Sequence, residues 1–170
     1  MNRDSKQRSD VSVNMDTFAR RVEEVRHRLY KTALLYLGDE SAAMDVLDET
    51  VYKALKASST LQEEDFFTTW ITRILLNECS NERRRRGRFV ALDALPETAS
   101  EQFDTLPLRE AVRRLPVELK QVVILRFFST YTLRETAEVL HVPLGTVATR
   151  QRRALSLLRL DLDEEDSYES

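Results

Sequence analysis

The residues of this chain best suited to chemistry are amides and guanidinium groups in the middle of the sequence. Arg73, Asn77, Asn81 and Arg84 follow one another at intervals of four, four and three residues, so a helix would present all four on one face. Asparagine is a weak helix former, and two of them between arginines make a ladder of hydrogen-bonding groups and positive charge. Amides suit base edges and guanidinium groups suit phosphates, so the ladder favours single-stranded nucleic acid.

Aromatic residues stand shortly before this ladder, at Phe66, Phe67 and Trp70. Bases of a single strand stack on such rings. The alternative is that the rings belong to a hydrophobic core and that the asparagines are merely solvated. For Trp70 by itself, the pattern favours a place in the core.

A second polar set lies on a helix predicted to begin at Pro143, because proline fits the first turn of a helix. Small polar and basic residues fall on its outer side, and apolar residues recur at helical spacing on its inner side. The outer residues are Thr146, Thr149, Arg150 and Arg153, and the inner residues are Val147, Ala154, Leu155 and Leu158.

A short helix precedes this one. Thr132 and Glu135 have the spacing of a capping box and predict where the short helix starts, and His141 with Val142 marks its end. A short helix, a turn and a longer helix with small polar and arginine residues outward is the plan of a helix-turn-helix. The alternative is an αα-hairpin with a solvated basic face.

Composition narrows the fold class. The chain has 170 residues, of which 42% are hydrophobic, with three glycines and four prolines, which predicts an all-α protein with packed cores. The net charge of −3 hides an uneven distribution, since arginines cluster at 83–88 and carboxylates crowd the C-terminus.

Several functional classes are disfavoured. Cys79 is the single cysteine, so the chain has no disulfide framework and no cysteine-rich zinc site. With two histidines and no phosphate-binding glycine loop, we expect no enzyme, no cofactor and no small-molecule substrate. No segment resembles a signal peptide or the roughly 20 apolar residues of a membrane helix, which predicts a cytoplasmic protein that does not insert into membranes.

The elements that position these residues form two predicted domains. Asp16 caps a first helix that Gly38 ends, Asp39 begins a second helix, and a third runs from about Asp65 into the arginines. The segments are a disordered leader (1–15), a three-helix domain (16–88), a linker long enough to let the domains sit apart (89–105), a four-helix domain with the helix-turn-helix (106–160) and a disordered acidic tail (161–170).

Three carboxylates, Asp45, Asp48 and Glu49, lie on the outer surface of the second predicted helix. Their spacing raises the possibility of a metal site. Because neither histidine nor cysteine lies nearby in sequence, we instead expect a solvated or partner-binding face and no metal.

The whole pattern resembles the extracytoplasmic-function (ECF) group of the sigma-70 family, the sigma factors of bacterial RNA polymerase. The resemblance covers about Phe18 to Leu160, both domains in order. It is carried by LLYLGDESAAMDVLDET (34–50), FTTWITRILLNECSNERRRR (67–86), VILRFF (123–128) and VPLGTVATRQRRAL (142–155).

This resemblance implies a function in promoter-specific transcription initiation. Core RNA polymerase would bind the acidic face of Asp45, Asp48 and Glu49. The melted minus-ten element of promoter DNA would bind Trp70, Arg73, Asn77, Asn81 and Arg84, with basic support from Arg83, Arg85 and Arg86. The linker would thread toward the polymerase active centre.

The second domain would read the minus-thirty-five element as duplex. Thr146, Thr149 and Arg150 lie in the first turns of the recognition helix, which reach base edges, whereas Arg152 and Arg153 suit phosphates. Many members of the family are held inactive by an anti-sigma factor, so the resemblance also implies such a partner. The promoter sequence, the inducing signal, the regulon and the identity of that partner do not follow from the sequence.

Two departures from the family pattern stand out. Met44-Asp45 followed by Asp48 replaces the common Glu-Asp followed by Gln, and Ala148 replaces a longer side chain. Two other functions remain open from the residues: a free-standing helix-turn-helix regulator, and a protein-interaction module whose basic runs are solvated.

Overall fold

Helices make up the regular structure of the computed structural model, which describes residues 4–61, 66–89 and 106–168. These ranges contain no strand, and the all-α prediction is confirmed. The helices are α1 (Asp4–Leu37), α2 (Glu40–Ala57), α3 (Phe67–Phe89), α4 (Leu106–Arg114), α5 (Val117–Val123), α6 (Leu133–Leu140) and α7 (Leu144–Tyr168), with a 3₁₀ turn at Ser58–Thr60 and a π-helical segment at Ile124–Phe128.

The first three helices pack against one another pairwise. Their apolar stripes face inward, and Leu29, Ile71 and Leu75 are fully buried. Burying a side chain of this size stabilises the folded state by about 1.5–3 kcal/mol. Gly38 ends α1 with a φ of +72°, a conformation that glycine adopts without strain. Asp39 caps α2 by accepting a hydrogen bond from the Ala42 N–H at 2.7 Å.

The second domain is built around the helix-turn-helix of α6 and α7. The predicted capping box is present: the Glu135 N–H donates to Thr132 Oγ1 at 3.2 Å, and the Thr132 N–H donates to Glu135 Oε2 at 2.7 Å. This second bond is the main reason that the pKa of Glu135 is lowered. His141 then ends α6 in the left-handed conformation, and α7 begins directly after Pro143.

Both chain ends differ from their predictions. Helix α1 begins at Asp4, inside the stretch predicted as a disordered leader, and α7 continues to Tyr168, through most of the predicted disordered tail. No glycine or proline interrupts either extension, so each helix can continue outward from its packed turns. Leu155, predicted to face inward, is 43% exposed, whereas Ala154 and Leu158 of the same predicted set are buried.

The domains are in contact, whereas the sequence predicted that a linker would let them sit apart. Helix α1 packs against the π-helical segment and α4, and α3 packs against α6. The buried side chains of both domains therefore form one continuous core. Of the predicted linker, residues 90–105 lie outside the described part of the chain.

Candidate nucleic-acid interface

Three of the four predicted ladder residues are solvent-exposed on the outer face of α3. Asn77, Asn81 and Arg84 are exposed. Arg84 Nη2 donates to Asn81 Oδ1 at 2.5 Å, and Asn81 Nδ2 lies 3.5 Å from Glu78 Oε1. The arginine thus fixes which way the Asn81 amide points and leaves its nitrogen almost free to donate.

Arg73, the fourth ladder residue, is turned toward the second domain. Its Nη2 donates to the Glu138 carbonyl oxygen of α6 at 2.7 Å. Its Nε is buried and has no hydrogen-bond partner among the described residues. The structure therefore separates the ladder into an exposed C-terminal part and an N-terminal arginine held between the domains.

The aromatic residues divide in the same way between core and surface. Phe67 is buried, and its ring lies 5.9 Å from the Trp70 ring centroid and 5.9 Å from that of Phe18. Trp70 is partly buried against the core, as its own pattern indicated. Phe66 is 46% exposed and is the ring most open to stacking with a base.

In the arginine cluster at 83–88, Arg86 makes ion pairs that stabilise the first domain. It forms ion pairs with Glu82 at 2.9 Å and with Asp39 at 3.2 Å, tying the end of α3 to the start of α2. The Ala42 N–H and the Arg86 guanidinium lower the pKa of the Asp39 carboxyl. Burial favours a raised pKa for Glu82, but hydrogen bonds from Arg86 and Arg85 outweigh it and lower that pKa. Among the side chains of the cluster that the structure describes, Arg83, Arg84 and Arg85 are exposed.

The three carboxylates predicted to bind polymerase are exposed on α2. Asp45 and Glu49 line a cleft of about 400 Å³ between α2 and α3, which also contains Asn81 of the ladder. Within the described ranges, no group of histidine, cysteine or carboxylate side chains is arranged to hold a metal ion. Asp48 is not among the residues that line this cleft.

Two apolar residues of α2 were missed by the sequence analysis. Met44 is 43% exposed and Tyr52 is 54% exposed. They stand four residues on either side of Asp48, which places all three on one stripe of the helix. This spacing was the sequence signal that could have identified Met44 and Tyr52. Both side chains add apolar surface beside the carboxylates.

On the recognition helix α7, Thr149, Arg152 and Arg153 are exposed, while Thr146 is half-buried. Arg150 Nη2 lies 3.1 Å from a carboxylate oxygen of Glu118 at the start of α5. All five predicted side chains therefore belong to one helix, but Arg150 is held by a neighbouring acid.

Arg126, in the π-helical segment, is a positioning residue that the sequence analysis missed. Its Nε donates to Gln151 Oε1 on α7 at 3.0 Å, and its Nη1 donates to the Tyr131 carbonyl oxygen at 2.6 Å. It ties the recognition helix to the turn before α6. No sequence signal distinguished it from a solvated arginine, because both partners are brought to it by the tertiary fold.

Two family models match the chain, one over each domain. Sigma-70 region 2 matches residues 21–89 and Sigma-70 region 4 matches residues 105–158. The same two regions were predicted, in the same order, from the sequence.

Curated relatives match over nearly their whole length. The RNA polymerase sigma factor SigV of Bacillus subtilis (strain 168) is 29% identical over 150 residues, which cover 85% of this chain and 90% of SigV. The ECF RNA polymerase sigma factor SigW of the same organism is 25% identical over 169 residues, covering 88% of this chain and 90% of SigW.

Solved structures share the fold. The sigma factor RpoE from Bartonella quintana, in complex with the anti-sigma factor NepR, superimposes with a TM-score of 0.74 at 21% identity, covering 86% of this chain and 97% of RpoE. CnrH, in complex with the cytosolic domain of CnrY, gives a TM-score of 0.73 at 23% identity, covering 90% of this chain and 92% of CnrH.

These matches account for both domains together, which a free-standing regulator with a single helix-turn-helix domain would not. Among the described helices, none has the length and apolar character needed to cross a bilayer. Sigma factors are initiation factors rather than enzymes. The chain therefore belongs to the extracytoplasmic-function group of the sigma-70 family, and is an RNA polymerase sigma factor for promoter-specific transcription initiation.

Proposed function

We propose that three surfaces of this chain divide the work of initiation. Helix α2 binds core RNA polymerase, the outer face of α3 captures the melted minus-ten element, and α7 reads the minus-thirty-five element as duplex. The observation that carries the proposal is the exposed amide pair of α3, Asn77 and Asn81, beside the exposed cations Arg83 to Arg85.

Capture of the minus-ten element is a matter of binding energy. Taking a base out of the stack costs a few kcal/mol, and a site that hydrogen-bonds one base correctly offsets this cost for that base alone. Asn77 and Asn81 supply amide donors and acceptors, Arg84 orients Asn81, and Phe66 offers a ring for stacking. No catalytic group or cofactor is required, so we propose that the chain has no enzymatic activity.

Reading of the minus-thirty-five element assigns different tasks to the residues of α7. Thr146, Thr149 and Arg150 lie in its first two turns, the part of a recognition helix that reaches base edges. A bidentate contact from Arg150 to guanine discriminates by about 1–3 kcal/mol. Arg152 and Arg153 neutralise phosphates, which positions the helix without specifying sequence.

Polymerase binding is assigned to Asp45, Asp48 and Glu49. Their exposure supports this role, and the neighbouring Met44 and Tyr52 supply apolar contact area. Because the polymerase and the chromosome are the working partners, we propose that the protein acts in the cytoplasm. RpoE is complexed with an anti-sigma factor, and we propose that a regulator of this class binds the present chain as well.

The experiment is run-off transcription with core bacterial RNA polymerase on a library of promoter fragments, with and without this protein. Transcripts from discrete start sites are expected when the protein is present and not when it is omitted. The variant Glu24→Ala, on an exposed position of α1 with no assigned role, serves as the matched control and should behave as wild type. Absence of transcripts despite specific duplex binding would contradict the proposal.

A further inference from the structure

A line of polar side chains connects α2 with the amide ladder of α3. Lys53 Nζ lies 2.8 Å from Glu78 Oε1 and 3.4 Å from Glu49 Oε1, so one ammonium group joins a carboxylate of each helix. The same Glu78 oxygen lies 3.5 Å from Asn81 Nδ2. On the other side of this amide, Arg84 Nη2 donates to Asn81 Oδ1 at 2.5 Å. Asn81 therefore stands between a carboxylate three residues before it and a guanidinium three residues after it.

Glu78 is the anchored member of this set. Its side chain is 13% exposed, whereas Asn81 and Arg84 are exposed. The hydrogen bond from Lys53 to Glu78 is the main reason that the pKa of Lys53 is raised. Because hydrogen bonds between charged groups are stronger than those between neutral groups, the neighbouring helix fixes the Glu78 carboxylate in place beside Asn81.

The two neighbours of Asn81 favour one orientation of its amide. With the oxygen toward Arg84 and the nitrogen toward Glu78, both contacts pair a donor with an acceptor. A half-turn of the amide would set two donors against each other at Arg84 and two acceptors against each other at Glu78. Neither neighbour can adapt, because a guanidinium only donates and an ionised carboxylate only accepts. The amide thus presents its remaining donor and acceptor in a fixed order along α3.

This fixed order affects how an amide reads a base. An asparagine recognises a base edge by donating and accepting at the same time, and base edges differ in the order of these groups. A base that matches the held orientation binds without a change in the protein. A base that needs the opposite order must first break the contact with Arg84 and bring the amide oxygen of Asn81 against Glu78.

We propose that Glu78, held by Lys53, is a positioning residue of the minus-ten site, which sets the orientation of Asn81 and thereby the base that Asn81 selects. The inference deepens the proposed function and rests on it, since it requires that Asn81 contacts a base. Glu78 itself touches no base and acts through the Asn81 amide.

The held amide is tested first in the free, full-length chain, by nitrogen relaxation of the asparagine side-chain amides in solution. Glu78→Ala should make the Asn81 amide more mobile and leave that of Asn77 as in wild type. Lys53→Met should act in the same direction, and Lys53→Arg should restore the wild-type result, because a guanidinium can also hold the carboxylate. Glu24→Ala, which removes an exposed carboxylate of α1, is the charge-matched control. An Asn81 amide equally mobile in wild type and in Glu78→Ala would overturn the proposal.

Base selection is tested with the complex of core polymerase and this chain. The probes are fluorescein-labelled single strands of the minus-ten element found by run-off transcription, with each position replaced in turn by the other three bases. Asn81→Ala identifies the position that Asn81 reads. At that position, Glu78→Ala should lower the ratio of affinities for the preferred and the other bases by about two- to tenfold, the range of one ordinary hydrogen bond.

The ratio separates positioning from simpler effects. Loss of a carboxylate near DNA strengthens the binding of every strand alike, and a damaged fold weakens every strand alike, so both cancel in the ratio. Adding Glu78→Ala to Asn81→Ala should cause no further loss of selectivity, because residues that act through one contact are not additive. A further loss in the double variant, or an unchanged ratio in Glu78→Ala, would overturn the positioning role.

Failure of the proposed function gives a different result. In that case run-off transcription yields no discrete start sites, or Asn81→Ala changes selectivity at no position, and the role of Glu78 in base selection is overturned with it. The effect of Glu78→Ala on the mobility of the Asn81 amide in the free chain would still be observed, which distinguishes this failure from a failure of the Glu78 contact itself.

Discussion

The two helices proposed to read DNA, α3 and α7, differ in what holds their arginines. Arg73 of α3 donates to a backbone carbonyl of the other domain and has a buried Nε. Arg150 of α7 meets the Glu118 carboxylate of its own domain, and that glutamate side chain is 69% exposed. An exposed ion pair contributes about 0–1 kcal/mol, so a side-chain rotation frees Arg150. Arg73 is freed only if the contact between α3 and α6 is broken.

Under the proposed assignment, the duplex-reading side chains of α7 and the strand-capturing side chains of α3 therefore differ in the contacts that must break before they bind DNA. On α7, Thr149, Arg152 and Arg153 are exposed, and the ion pair of Arg150 with Glu118 is the contact to be broken. On α3, Asn77, Asn81 and Arg84 are exposed, and the contact to be broken is that of Arg73 with the Glu138 carbonyl oxygen.

Changes to α7 should have the largest effects on duplex binding. Arg150→Ala should lose discrimination at one guanine of the minus-thirty-five element by about 1–3 kcal/mol. Arg153→Ala should instead weaken binding to all sequences and lower the salt slope by about 1. Binding titrations on matched and mutated duplexes at several salt concentrations separate the two. A uniform loss for Arg150→Ala would show that the facing of α7 is misassigned.

A buried lysine at the domain boundary should give the next largest effect, as a pH dependence. Lys120 is 3% exposed and donates to the Arg113 carbonyl oxygen at 2.6 Å. Burial, with the charges of Arg83 and Arg113, lowers its pKa to about 8. Between pH 8 and 10.5 the unfolded chain binds more protons at this lysine, so its contribution to the free energy of unfolding rises with pH, by about 1 kcal/mol from pH 8 to 9.

Denaturant unfolding of wild type and Lys120→Met at each pH measures this contribution. Above pH 9 the raised pKa values of Cys79 and Tyr131 act in the opposite direction, because the unfolded chain then loses protons first. They act equally in both proteins, so the difference between the two curves isolates Lys120. A difference that does not change with pH would refute the lowered pKa.

The smallest effect is expected at the ion pair that holds Arg150. Glu118→Gln removes the carboxylate while keeping the shape of the side chain, and should strengthen duplex binding by less than about fivefold, since exposed pairs contribute little. Exposed Glu23→Gln on α1 is the control. A gain of several tens of fold would mean that the ion pair with Glu118 contributes far more than an exposed pair does.

Local signals predicted much of the fold. The Thr132–Glu135 capping box and the helix end at Gly38 could be predicted because each depends on residues close together in sequence. The two family-like regions and their order were readable for the same reason. The positions of Asn77, Asn81 and Arg84 on an exposed face followed from helical periodicity alone.

What could not be predicted depends on contacts between distant parts of the chain. No local signal indicated that Arg73 would meet Glu138, because the docking of α6 on α3 decides it. Arg126 is recognisable as a positioning residue when Gln151 and Tyr131 are seen beside it. Thr130 has a φ of +59°, which the propensity of a β-branched residue does not predict either.

The division of labour between α3 and α7 is tested most directly by permanganate reactivity of promoter thymines in complexes with core polymerase. Asn77→Ala with Asn81→Ala should still locate the promoter duplex but should reduce reactivity at the minus-ten element by about tenfold or more, since each hydrogen bond lost contributes about 0.5–1.5 kcal/mol and at least two are lost. Arg150→Ala should lower promoter occupancy while leaving reactivity per bound complex unchanged. Equal loss of occupancy and of reactivity in both variants would contradict separate single-strand and duplex surfaces.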